Sequence, residues 1–261
     1  MMFWFKKKKI VVDCFTNIDS VHELYKIRKA AVYYPEDIKS LNPNVRIKHP
    51  QTNIEYDIST IKKCNGINEM YKRGFIMPMW TDFICQPKTG SSGESALGMM
   101  NQYFDYDSHP NSQYYGLYED YMHVKLQSPW LFNEKTGVRF VWKSADWNLH
   151  KYSNSFVIPS AVIWFNDQNT SNINMFVNKN SDNFTIAGGT PMVHLLPLSE
   201  ENVEVKCHLV SPEEMKKNLS IPLSYGLTKT GRYNNYIKEQ AHVKELDNLE
   251  KSKCPFGFGR K

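Results

Sequence analysis

The sequence is short of the signatures that usually announce a function. Its five cysteines (Cys14, Cys64, Cys85, Cys207, Cys254) are odd in number and far apart, and no two form a Cys-x-x-Cys pair. That pattern argues against both a zinc ribbon and a disulfide framework. No uncharged apolar run reaches the roughly 18 residues that a membrane-spanning helix needs. The opening MMFWFKKKK is too short for a signal h-region, and its lysines follow the apolar residues instead of preceding them. Stable membrane insertion and secretion are therefore not expected. A reducing cytoplasm is the expected compartment, where the sequons at Asn169, Asn183 and Asn218 go unread.

Catalytic spacings are missing as well. Iron barrels that use two histidines and a carboxylate commonly carry His-x-Asp/Glu on one strand. The eight histidines here are followed two places on by Leu24, Gln51, Asn111, Lys125, Tyr152, Leu196, Val210 and Lys244, none of them acidic. The Ser/Gly stretch TGSSGES has neither the GxSxG spacing of a nucleophile elbow nor the Lys-Ser/Thr ending of a phosphate loop. No EF-hand pattern follows Asp105 and Asp107, which read as solvated loop acids. No βαβ spacing and no internal repeat is present. The net charge of +5 comes from 32 basic and 27 acidic residues, with the densest basic runs at the two ends. Nothing gathers on one face as a nucleic-acid binder requires, so no nucleic-acid partner is expected.

What the chain does have is aromatic and β-forming residues: 15 Tyr, 14 Phe and 6 Trp in 261 positions. These favour pleated, half-buried surfaces. From KIVVDCF at residues 9–15 onward, and densely after residue 115, short apolar runs alternate with turn clusters such as NDQNTSN and NKNSDN. Seven or more strands so punctuated predict a mainly β fold, an antiparallel β-sandwich or cupin-like (jelly-roll) barrel with short peripheral helices. NGINEMYKRG predicts one helix, with Asn65 as a cap and Gly74 as its stop. Pro78 places its strand at an edge or a bulge. FTIAGGTPMVHLLPL reads as a return hairpin carrying His194. Ser211 and Pro212 open a C-terminal helical region. The expected organisation is a basic, aromatic tail at 1–8, a β-rich domain at 9–215, and a C-terminal helix and tail at 216–261.

Tryptophans beside polar residues at strand ends suggest a cleft, since each buries a large area and offers one donor. Trp80, Asp82, Trp147, Asn174 and His194 are its candidate lining, beneath the 86–113 loop. A small molecule or a host or virion protein would be its ligand, with no cofactor. The alternative is a metal-dependent, non-haem iron-type barrel enzyme holding iron or another divalent metal through His123, His194 and His208. A minor virion component is a third reading. Cys85 and Cys207 sit in apolar strands, where thiols are normally inert.

Seven stretches carry a resemblance: KIVVDCFT, IKKCNGINEMYKRGFIMPMWTDF, SPWLF, WNLHKYSNSFVIPSAV, NINMFV, IAGGTPMVHLLPLSE and KCPFGFG. Together they resemble a family of proteins encoded by tailed phages of marine cyanobacteria, with more distant bacterial relatives. The bacterial members share an order of RCLP…N…GW, GYNLW…GP, FTMNW and GEP…FFPV. Here these fall on Lys63 to Phe75, Trp147 to Pro159, Ile173 to Phe176 and Gly189 to Leu198. The chain departs from that order at GGTPMVHLLPL, with Thr190 in place of the acid and His194 in place of an aromatic. The resemblance implies a phage origin, an infected host cell as the setting, and a β-rich fold. It implies no catalytic residue.

Overall fold

The structure is a computed structural model that describes residues 9–87, 106–108, 119–166 and 170–218. The expected 1–8 tail, nearly all of the 86–113 loop and the chain beyond 218 lie outside the described residues. The first part of the chain forms β1 (Lys9–Thr16), α1 (Asp19–Leu24), β2 (Arg28–Lys29), α2 (Glu36–Ser40), β3 (Asn44–Lys48) and β4 (Glu55–Ser59). Helix α3 (Asn65–Arg73), β5 (Phe75–Pro78) and β6 (Phe83–Cys85) follow. Next come β7 (Tyr106–Ser108), β8 (Tyr121–Leu126), β9 (Leu131–Asn133), β10 (Arg139–Ser144) and α4 (Asp146–Leu149). The last elements are β11 (Phe156–Val157), β12 (Ala161–Trp164), β13 (Ile173–Asn178), β14 (Phe184–Ile186), β15 (Pro191–Pro197), β16 (Asn202–Leu209) and α5 (Pro212–Asn218).

The fold is mainly β, as the strand pattern predicts, and no sheet among the described residues closes into a barrel. A five-stranded sheet runs β12-β10-β15-β5-β2, a four-stranded sheet β11-β13-β8-β7, and a three-stranded sheet β16-β1-β9. Two ribbons, β14-β6 and β3-β4, complete the set. One pairing corrects the expectation of purely antiparallel strands: β1 and β16 run parallel, from Lys9 opposite Asn202 to Thr16 opposite Leu209. Strands this far apart in sequence meet by a crossover through the rest of the domain, so no local βαβ spacing reveals them.

Side-chain pattern explains the layering. On β1, Ile10, Val12, Cys14 and Thr16 are buried, while Val11, Asp13 and Phe15 are half-buried, a period of two on a strand with one face covered. On β15, Met192, Val193, His194 and Leu195 are all enclosed, so both faces are covered. The aromatics fill the interior: Trp80, Trp130, Phe83, Phe132 and Phe140 are among the largest wholly buried side chains. Phe132 beside β1 stacks on Phe165 at 3.9 Å, and Phe140 of β10 tilts against the same ring at 5.6 Å. These contacts join the three-stranded to the five-stranded sheet.

The expected return hairpin is not a hairpin. β14 pairs with β6 and β15 pairs with β5 and β10, so the segments 75–85 and 184–195 run antiparallel to each other across two sheets. Between them, Met79 and Gly189–Thr190 exchange backbone hydrogen bonds of 2.7 and 2.8 Å. Gly189, at φ +83°, supplies the left-handed residue that this corner needs. Pro78 is accommodated as predicted: a bulge lies between Pro191 and Val193 opposite it, and β2 reaches only Phe75 and Ile76.

Helix α3 starts one residue earlier than Asn65 as a cap would allow. Asn65 is its first residue, and the Cys64 carbonyl accepts from the Asn68 amide at 3.1 Å. Gly74 does end it, but at an ordinary φ of −80°. Its lack of a side chain serves packing instead, because a Cβ there would lie 2.1 Å from His194 Nε2 and 2.8 Å from the Met70 carbonyl oxygen. Gly74→Ala is therefore expected to destabilise the fold by about 2–3 kcal/mol, through overpacking against a fixed imidazole and backbone. Urea unfolding should show a lower midpoint at unchanged slope.

Candidate functional site

Trp80 and His194, two of the five expected cleft residues, are core side chains, 1% and 0% exposed. The imidazole of His194 lies between Tyr71, 5.2 Å away ring to ring, and the end of α3, where its Nε2–H donates to the Met70 carbonyl at 3.1 Å. Asp82 is exposed, and its Oδ1 accepts the Gly188 amide at 2.8 Å, so it holds the corner turn. Trp147, 37% exposed, projects from α4. Asn174 is exposed on β13 opposite Lys125, in a different sheet from His194. The five therefore divide between core and surface, and the two that lie on strands, Asn174 and His194, belong to different sheets.

Around His194 the side chains instead form a structural network. Tyr71 donates its hydroxyl to Asn148 Oδ1 at 2.7 Å, and Asn148 Nδ2 donates to the Tyr33 carbonyl at 2.8 Å. Tyr34 donates to Asn68 at 2.7 Å. This ties α3, α4 and the 30–33 turn over β15. Burial pushes the Tyr71 phenol well above its usual range. Burial likewise lowers the His194 imidazole to about 4.

The three histidines of the metal reading stand on three different sheets: His123 on β8, His194 on β15 and His208 on β16. His123 tilts against Phe176, with ring centres 5.4 Å apart. His208 pairs through Nε2 with Asp13 Oδ1 at 2.8 Å and stacks on Phe15. Among the described residues no three His, Cys, Asp or Glu side chains converge as a metal shell, and no helix is long and apolar enough to cross a membrane.

A feature that the sequence reading passed over is the β3–β4 ribbon. The stretch 17–59 reads as loop-rich, yet NVRIK and EYDIS each alternate apolar with polar residues. The ribbon pairs Val45 with Ile58 and Ile47 with Tyr56 on one face, and Arg46 with Asp57 on the other, the latter an exposed ion pair at 3.1 Å. Its turn is closed locally: Nδ1 of His49 accepts the amides of Gln51 and Thr52, and Asn53 takes the left-handed conformation at φ 58°. Its base is fastened by Thr60, which donates to the Asn42 carbonyl at 2.6 Å, and by Lys62, which donates to the carbonyls of Lys39 and Leu41.

Six of the fourteen exposed large apolar side chains among the described residues belong to this one segment: Leu41, Val45, Ile54, Tyr56, Ile58 and Ile61. Their exposures run from 37% to 64%. A two-stranded ribbon is marginal by itself in water, and clustered exposed apolar residues rimmed by polar ones mark interaction surfaces. β3 and β4 pair only with each other among the described strands, so each keeps an unpaired backbone edge beside that apolar face.

In comparisons with known proteins, no protein-family model and no curated protein matches the chain.

The buried imidazole makes stability depend on pH with a definite sign. The folded pKa of about 4 lies below the ordinary 6.5. As pH falls below 6.5 the unfolded chain gains a proton that the folded chain refuses, until the folded value is reached. Stability is therefore full above pH 6.5 and falls by up to about 3 kcal/mol toward pH 4. In His194→Gln, which keeps a donor for the Met70 carbonyl, that part of the pH slope should vanish. Urea midpoints at steps between pH 7 and 4.5 measure the difference.

Proposed function

We propose that the protein is a binding protein whose working surface is the β3–β4 ribbon. An extended segment of a partner protein adds to the ribbon as a third strand, with alternate apolar side chains that continue the face formed by Val45, Ile47, Tyr56 and Ile58. The observation that carries this reading is an apolar face directly beside unpaired strand edges. Backbone hydrogen bonds to an edge supply affinity, and alternate side-chain contacts supply selectivity. The ribbon is favoured over an aromatic cleft because Trp80 and His194, which a cleft ligand would have to touch, are enclosed. In the setting that the family resemblance implies, the partner is a host or virion protein met in the cytoplasm of an infected cell. The three larger sheets, which share one apolar cluster, are read as the layers of an open sandwich that carries the ribbon.

A photocrosslinking residue at position 56 identifies the partner, which is then purified and rebound. The pair Tyr56→Asp and Ile58→Asp should weaken that binding about 30-fold or more. The melting temperature should move by no more than about 2 °C, since both residues lie outside the core. Equal binding by the variant and the parent overturns the reading. So does concentration-dependent self-association that the variant abolishes, since the occupant would then be a second copy.

A further inference from the structure

The parallel β1–β16 pairing sets Cys14 directly opposite Cys207. Cys14 belongs to the buried row of β1 and is wholly enclosed. Cys207 is half-buried, and its thiol donates to the Ile27 carbonyl oxygen at 3.6 Å. His22 of α1 lies over the same place, its Nε2–H donating to the Cys207 carbonyl at 3.4 Å. Partnered Cα atoms on neighbouring strands are about 4.8 Å apart. That falls inside the span of roughly 4.4–6.8 Å that a disulfide bridges. An enclosed thiol paired across neighbouring strands with a half-buried one is an arrangement open to a resolving and an attacking cysteine.

We propose that Cys14 and Cys207 form a redox-active dithiol site that reacts with small-molecule disulfides of the oxidised-glutathione class. Cys207 attacks and Cys14 resolves. The electrostatics support this order. The neighbouring Cys14 thiol, with the charges of Lys26 and Arg28, holds the Cys207 thiol below its ordinary range, whereas burial pushes Cys14 well above it. In the first step the Cys207 thiolate attacks one sulfur of the glutathione disulfide. A Cys207–glutathione bond forms, the glutathione S–S bond breaks, and the departing thiolate takes up a proton. Cys14 then attacks the Cys207 sulfur, and the second glutathione leaves carrying the Cys14 proton. The two cysteines lose two electrons, and one glutathione disulfide becomes two glutathiones. The product bonds residues 193 positions apart and clamps β1 to β16. In a reducing compartment such a bond is transient, as redox-responsive disulfides are.

The test treats the reduced full chain with oxidised glutathione, quenches with an alkylating agent and analyses the digest without reduction. The expected product is a Cys14–Cys207 peptide pair, two hydrogens lighter than its reduced parts. Cys14→Ser should trap glutathione on Cys207, and Cys14→Ala does the same if serine disturbs the core. Cys207→Ser should leave Cys14 unreacted. Near-ultraviolet circular dichroism confirms that each variant is folded. The proposal is overturned if glutathione ends only on the exposed Cys64, or if it stays on Cys207 in the parent chain without displacement by Cys14.

Discussion

A neutral imidazole facing a residue with no side chain holds the five-stranded sheet to its covering helices. His194 sits on the central strand of that sheet, with neighbours enclosed on both faces. Its Nε2–H reaches the end of α3 only because position 74 has no Cβ. Through Tyr71, Asn148 and the Tyr33 carbonyl, the same contact extends to α4 and the 30–33 turn. The arrangement has a cost. With its proton on Nε2, the ring's Nδ1 is a buried acceptor with no hydrogen-bond partner among the described residues. Leaving such a group unmet costs on the order of 1–3 kcal/mol, an amount that a charged ring in the same place would far exceed.

The parts of this architecture that depend on neighbours in sequence were legible. The existence of strand β1, the aromatic load of the core, the bulge beside Pro78 and the extent of α3 all follow from local pattern. So does the start of α5, where Ser211 Oγ accepts the Glu214 amide at 3.2 Å as its sequence predicts. Long-range pairings were not legible. The motif FTIAGGTPMVHLLPL has hairpin chemistry, but its two strands pair with the distant β6 and β5, and the glycines turn a corner between sheets. The partnership of Asp13 with His208, and of Cys14 with Cys207, depends on a register set across nearly two hundred residues.

The candidate surfaces show the same division. Trp80 and His194 stand out by residue type, and type alone does not separate a lining residue from a core residue. The Nε1 of Trp80 is buried and has no hydrogen-bond partner among the described residues, so the indole serves as apolar volume rather than as a donor. The ribbon is inconspicuous in the sequence for the converse reason. Its four apolar positions are ordinary in a sheet, and become notable only because no other strand among the described residues pairs with the ribbon and Val45, Tyr56 and Ile58 are exposed. Pro43 and Pro50 bracket β3, which directs attention toward loop and away from a strand of five residues.

The parallel union of β1 with β16 also governs how the chain can be made. The antiparallel neighbour of β1, at Leu131–Asn133, leaves the ribosome 69 residues before Asn202, where the other neighbour begins. At typical elongation rates that gap lasts roughly 4–14 seconds. Throughout it, the earliest strand is held along one side only, with a row of backbone amides and carbonyls open to any passing strand. Growth of the nascent polypeptide thus contains a built-in waiting period, during which a chaperone would be most effective and a truncated product most prone to clump.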